Sequence, residues 1–174
     1  MSMVIWLIGM SRAGKTTIGK LVYEKWKCRK PNTVFIDGDE IRALFAQDRN
    51  EGDYSIAGRR KNAERIFALC RFLDSQEINV VCCILSIFPE LRIINRETFS
   101  SYFEVFIRVP VNILTARDDK GIYAPAIRGV NSNVVGVDID FPEPQEADLI
   151  IDNSSFNVAP SDHAHQILTV AEAW

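Results

Sequence analysis

No pair among the four cysteines, Cys28, Cys70, Cys82 and Cys83, has CxxC spacing, and none joins a histidine at metal-ligand spacing. Zinc ribbons and dithiol redox centres are thereby excluded. Cys82 and Cys83 are neighbours in an apolar run, where strand alternation sends their side chains to opposite faces and makes a bond between them geometrically poor. All four are expected to be reduced core residues. Basic residues stand singly or in pairs and the net charge is −3, so no broad positive surface exists and no nucleic acid partner is expected. No apolar stretch is long enough to span a bilayer. The first one, Met3 to Ile8, has no basic residue before it and runs into a glycine-bearing turn. The expectation is a cytoplasmic protein with no membrane partner. Repeats, low-complexity tracts and an NKxD guanine-reading sequence are absent.

Short runs rich in β-branched residues alternate with longer amphipathic stretches, the pattern of strands covered on both faces by crossover helices. The predicted strands are Val4 to Ile8, Thr33 to Ile36, Val80 to Leu85, Phe103 to Val109 and Leu149 to Ile151. Helices are predicted over Lys15 to Lys27, Arg59 to Ser75, Leu91 to Phe99 and Ser161 to Ala173, the last with Ser161 as N-cap. The fold class is α/β: a doubly wound, mainly parallel five-stranded sheet with flanking helices, in one domain over 1–174. Residues 118–146 carry several glycines and prolines without sustained periodicity, the composition of a lid loop.

Gly9-Met10-Ser11-Arg12-Ala13-Gly14-Lys15-Thr16 fits GxxxxGK(S/T), directly after a predicted strand and before a predicted helix. In that context the glycines let main-chain N–H groups turn inward around phosphates and the helix start adds its positive end. Lys15 reaches the β/γ oxygens and Thr16 can ligate Mg²⁺, with Thr17 following in the same turn. The donor is thus read as ATP with Mg²⁺. Arg12 has two readings, a phosphate contact or an outward-pointing side chain. A P-loop names the donor and leaves the reaction open. The missing guanine motif and the short chain leave small kinases as the fitting class.

After the second strand comes Asp37-Gly38-Asp39-Glu40-Ile41-Arg42, two carboxylates where open α/β sheets gather their chemistry. One can orient the metal while the other takes a hydroxyl proton; the alternative is a turn that caps a helix. Arg59 and Asn62 lie three apart on one helix face, where an arginine fork can grip an anion. The alternative for that cluster is a solvated basic face.

The chain resembles the adenylylsulfate kinase family from the P-loop through about residue 153. The pieces that carry the likeness are GMSRAGKTT, DGDEIR, Tyr54-Ser55 with Gly58-Arg59, Asn62 and Arg65, Ser86 after the third strand, RDDKGIY at Arg117 to Tyr123, and VVGVDIDFPEP at Val134 to Pro144. The resemblance implies a P-loop kinase fold that phosphorylates the 3′-hydroxyl of adenosine 5′-phosphosulfate, acting as a homodimer. It implies that Lys15, Asp37, Asp39 and Ser86 serve catalysis, with Asp39 the better base and Thr16 and Asp37 at the metal. Arg117 would lie beside the ATP adenine. Arg42, Tyr54, Arg59, Asn62, Leu85, Ser86, Lys120, Val134 and Val135 would surround the acceptor nucleotide, with Lys120 in the lid. The serine position can carry phosphate in some members; for Ser86 the readings are a hydrogen-bonding neighbour or a strand-end turn residue.

Departures bear on the acceptor. Val134-Val135 replace the family's Phe-Thr and remove an aromatic platform for the base; Tyr54 replaces a stacking phenylalanine; Ala124-Pro125 replace a lysine pair; Gly58 replaces an acid; and the proline after the serine is displaced to Pro89. The resemblance makes adenylylsulfate the first expected acceptor, and these departures weaken that assignment. A cytidine diphosphate derivative of the diphosphoramidate type is the second, and a nucleotide-binding domain without catalysis is the third reading.

Overall fold

The structure, a computed structural model, describes residues 1–45, 53–119, 121–155 and 157–174. Five parallel strands form one sheet in the order β2-β3-β1-β4-β5. They are β1 (Val4–Ile8), β2 (Thr33–Asp37), β3 (Asn79–Ile84), β4 (Tyr102–Arg108) and β5 (Leu149–Asp152). The helices are α1 (Lys15–Arg29), α2 (Gly38–Phe45), α3 (Ile56–Ser75), α4 (Pro89–Thr98), α5 (Val111–Ala116), α6 (Tyr123–Ile127) and α7 (Pro160–Ala171). The expected α/β, five-stranded parallel architecture with flanking helices is the one observed, and every predicted strand is present.

Strand alternation builds two apolar layers. Ile5 and Leu7 of β1, with Val81, Cys83, Phe103, Val105 and Ile107, pack against Ile18, Val22 and Trp26 of α1 and Ala164, Ile167 and Leu168 of α7. The intervening residues Val4, Trp6 and Ile8, with Val80, Cys82 and Ile84, meet Ala63, Ile66 and Cys70 of α3 on the opposite face. A one-residue slip of β1 would exchange the layers, so the pairing Val4 with Val80 and Tyr102 is specified by both cores at once. Burying a side chain such as Ile66, fully covered in α3, contributes about 1.5–3 kcal/mol. Close approach of α1 to the sheet depends on Gly19, where a Cβ would stand 2.3 Å from the Cys83 sulfur.

Helix ends differ from the sequence expectation for local reasons. The start of α3 moves up to Ile56 because the Ser55 hydroxyl accepts from Gly58 N at 3.1 Å and caps it. Pro89 and Pro160 preset the helical φ and open α4 and α7, so Ser161 lies inside α7 and Ala159 takes the N-cap position. The helix α2 answers to the reading of Asp37 as a helix cap, whereas α5 and α6 match no predicted helix. Cys70, Cys82 and Cys83 are buried as expected, but Cys28 is exposed, two residues past Trp26 on the outward side of α1.

At the amino ends of the strands, Asp74 of α3 accepts from the Ser2 hydroxyl at 2.6 Å and from Ser100 N and its hydroxyl at 2.9 and 3.0 Å. That carboxylate ties three chain segments together at the end of the sheet away from the P-loop. Among the described residues no helix is long and apolar enough to cross a membrane.

Candidate active site

The chain leaves β1 at Ile8, turns through Gly9 to Gly14 and enters α1 at Lys15. Two left-handed residues shape the turn, Arg12 at φ 68° and Gly14 at φ 98°. Such alternation is what aims successive N–H groups into one concavity. Lys15 Nζ arches back to donate to Met10 O at 2.8 Å. Burial pulls the Lys15 ammonium below its ordinary value, and the charges of Asp39 and Asp37 oppose that shift.

Directly across, the Thr16 hydroxyl donates to Asp37 Oδ2 at 2.6 Å, while Asp37 Oδ1 accepts from Asp39 N at 2.9 Å. Asp37 therefore caps α2 and also presents a carboxylate to the P-loop. Asp37 is buried and Asp39 is exposed. The pair Thr16 and Asp37 is a hard-oxygen donor set of the kind Mg²⁺ takes, since that ion commonly uses one or two protein oxygens and leaves the rest to phosphate and water. Among the described residues no group of three His, Cys, Asp or Glu side chains is gathered as a metal cage.

These residues open on a cleft of about 1180 Å³, above the roughly 300–1,000 Å³ of an ordinary ligand pocket. Ser11, Arg12, Gly14, Lys15, Thr16, Thr17 and Arg117 line it, as do Asp37, Asp39, Arg42, Tyr54, Arg59, Asn62, Leu85, Ser86, Val134 and Val135. Gly9, Met10 and Ala13 stand outside that lining and support the turn from behind: a Cβ on Gly9 would meet Ile107 O at 2.7 Å, and Met10 and Ala13 are buried. Lys120 lies outside the described residues.

Elsewhere along the cleft, the guanidinium carbons of Arg42 and Arg59 stand 4.6 and 5.5 Å from the Tyr54 ring centroid. Arg42 donates to Asp53 O at 2.7 Å, and Arg59 donates to Tyr54 O at 2.9 Å and Asn133 O at 2.8 Å. The basic face is thus folded inward around Tyr54. Asn62 donates to Gly38 O at 3.0 Å, yet its Oδ1, and Nε of Arg42, are buried without a hydrogen-bond partner. Ser86 is left-handed at φ 57°, and buried Arg92 of α4 donates to Ser86 O at 3.4 Å and Pro142 O at 3.1 Å.

Several supporting residues were not singled out from the sequence. Asn153, just past β5, donates to Ala13 O at 2.9 Å while its own carbonyl accepts from Arg117 at 2.8 Å. Tyr123, buried in α6, donates through its hydroxyl to Ser11 O at 2.8 Å. Asp138 accepts from Asn133 N and Val134 N at 2.6 and 2.7 Å, shaping the turn before Val135. The position of Asn153 at the carboxyl end of a parallel strand was the available signal for it. Tyr123 and Asp138 lie inside the quoted motifs, but only packing reveals what they hold.

A nest after β1, an acid pair after β2 and a two-sided cleft over the strand ends define a P-loop kinase. The chain belongs to the adenylylsulphate kinase family, whose profile matches residues 1–152. A cytidine diphosphoramidate kinase of Campylobacter jejuni is 40% identical over 157 residues, 88% of this chain and 88% of the relative. An adenylyl-sulfate kinase of Thermodesulfovibrio yellowstonii is 33% identical over 152 residues, 86% of this chain and 74% of the relative. The APS kinase of Mycobacterium tuberculosis, solved in complex with AMPPNP and APS, superposes with a TM-score of 0.84 at 26% identity over 98% of both chains.

Proposed function

We propose that the protein transfers the γ-phosphoryl group of Mg·ATP to the 3′-hydroxyl of a 5′-activated nucleotide, and that a cytidine diphosphate derivative of the diphosphoramidate type is its preferred acceptor. This reverses the order expected from the sequence, where adenylylsulfate stood first. The observation that carries the reaction is the meeting of Lys15, Thr16, Asp37 and Asp39 at one end of a cleft whose other wall bears Arg42, Arg59 and Asn62. For the base, the supports are the 40% identity to a cytidine diphosphoramidate kinase and a cleft lining in which Val134 and Val135 stand where the family has Phe-Thr. Stacking on an aromatic contributes about 1–3 kcal/mol per base, so aliphatic side chains at these two positions give up part of the gain a purine would draw.

In this reading the nest of main-chain N–H groups and Lys15 bind the donor phosphates, and Arg117 stands beside the donor base. Magnesium, when bound, offsets the charge on the transferring group, and Thr16 and Asp37 would hold it. Asp39, exposed at the cleft, takes the proton of the attacking hydroxyl. The unpartnered Nε of Arg42 and Oδ1 of Asn62 supply one donor and one acceptor to the nucleotide, with Arg59 and Lys120 adding positive charge. Ser86 acts as a hydrogen-bonding neighbour, and in-line transfer requires no phosphoenzyme. A cytoplasmic homodimer under a lid formed by 118–146 completes the reading, and sedimentation equilibrium checks the assembly.

The test is kcat/KM for ADP release with purified protein, Mg·ATP and each acceptor in turn. Cytidine diphosphoramidate is expected to exceed adenylylsulfate by about tenfold or more, the worth of one lost stacking contact. Preference for adenylylsulfate would return the substrate to the sequence expectation. Turnover with neither would overturn the acceptor class.

A further inference from the structure

Arg12 is a costly residue for a loop that binds phosphate through its backbone. Its φ of 68° lies in the region that penalises any residue with a Cβ. Strain of this kind persists where the surroundings impose it, and it gathers at ligand clamps. The Arg12 guanidinium is paired through Nη2 with Asp119, an exposed carboxylate at the base of the 118–146 segment. A pair of that exposure adds little to folding by itself. Arg12 Nε is buried and has no partner. Both residues line the cleft beside the phosphate nest.

The neighbouring contact is of the same kind. Tyr123 donates to Ser11 O at 2.8 Å, and Asp118 accepts from Tyr123 N at 2.6 Å. Two consecutive P-loop residues are therefore tied to the base of one segment, Ser11 through a neutral bond and Arg12 through an ionic one. A guanidinium has five N–H donors in a planar fork, enough to serve a carboxylate on one edge and a phosphate on another.

We propose that Arg12 is a clamp between the donor triphosphate and the lid: one guanidinium edge is held by Asp119 while the other bonds a phosphate oxygen of the nucleotide. The inference rests on the kinase reading above and adds to it that donor affinity and the order of residues 121–135 are coupled through one side chain. Coupling of binding equilibria is reciprocal, so what strengthens one strengthens the other by the same factor. A glycine at position 12 would relieve the backbone and lose the clamp.

The experiment compares the 174-residue protein with Arg12→Gly, Asp119→Asn and the double variant, using calorimetry with Mg·AMPPNP and hydrogen exchange over 121–135. Arg12→Gly is expected to weaken AMPPNP binding by about tenfold, the scale of a charge-assisted hydrogen bond. Asp119→Asn is expected to weaken it less, and the double variant no more than Arg12→Gly alone. Nucleotide-dependent protection of 121–135 is expected to disappear in each variant, while the thermal midpoint of Arg12→Gly without nucleotide equals or exceeds that of the wild type. Wild-type affinity in Arg12→Gly, additive effects of the two substitutions, or protection that survives in Arg12→Gly would each overturn the clamp and leave the kinase reading standing. A wild-type protein that binds no AMPPNP would overturn both.

Discussion

Replacing Gly14 with alanine tests the geometry of the nest through two separable costs. At φ 98° the residue sits where a Cβ is strained, and left-handed placement costs about 1–2 kcal/mol. The added Cβ would also lie 2.6 Å from Asn153 Nδ2, the group that donates to Ala13 O at 2.9 Å. Displacing it forfeits a hydrogen bond worth about 0.5–1.5 kcal/mol. Together the expected loss is about 1.5–3.5 kcal/mol, read as a fall in the urea midpoint at unchanged slope. Asn153→Ala alone should lose about 0.5–1.5 kcal/mol. The double variant can lose that bond only once, and has no amide to collide with, so the sum should fall short of additivity by about 1 kcal/mol. Additivity to within a few tenths, or a Gly14→Ala variant as stable as the wild type, would refute the reasoning.

If Asp39 is the base proposed above, Asp39→Asn should lower kcat by about 10²-fold or more while AMPPNP still binds, because the nest is left whole; steady-state kinetics beside calorimetry separates the two. Burial holds the Lys15 ammonium below its ordinary value in the free protein, and phosphate oxygens favour the charged form and raise it again. Nucleotide binding in the alkaline range should therefore take up a proton, seen as a binding enthalpy that varies with the buffer's ionisation enthalpy, and Lys15→Met should abolish that dependence. Asp74→Ala strands the Ser100 N–H and hydroxyl at the amino ends of the strands, while the Ser2 hydroxyl keeps the residue-74 carbonyl at 3.1 Å; the loss should be about 1–3 kcal/mol of unfolding free energy, with KM for both substrates unchanged.

Most of the sheet was legible because fully buried parallel strands write themselves as continuous apolar runs, as Val4–Ile8 does, and because GxxxxGK(S/T) has one structural context. The short helices were not. α2 follows Asp37 so closely that an acidic turn and a helix cap look alike, and the structure makes Asp37 both through its bonds to Thr16 and Asp39. α5 and α6 contain six and five residues, too few for a period to show. Supports such as Asn153 and Tyr123 were hard to read for another reason: each acts on a P-loop carbonyl more than 100 positions away, at separations of 140 and 112 residues, so that even the strand-end position of Asn153 does not name its partner. The spacing that placed Arg59 and Asn62 on one face was readable, whereas the packing of Arg42 and Arg59 around Tyr54 required the fold.

The P-loop and the Arg42, Arg59 and Asn62 cluster line one cleft, so the proposed reaction is decided by where the phosphoryl group goes. Phosphorus NMR and mass spectrometry of the product, after incubating the protein with Mg·ATP and cytidine diphosphoramidate, report this directly. The expected result is ADP together with an acceptor one phosphate heavier, its new phosphomonoester coupled to the ribose 3′ proton. ADP with orthophosphate and an unchanged acceptor, or a phosphate retained on Ser86 of the protein, would contradict it.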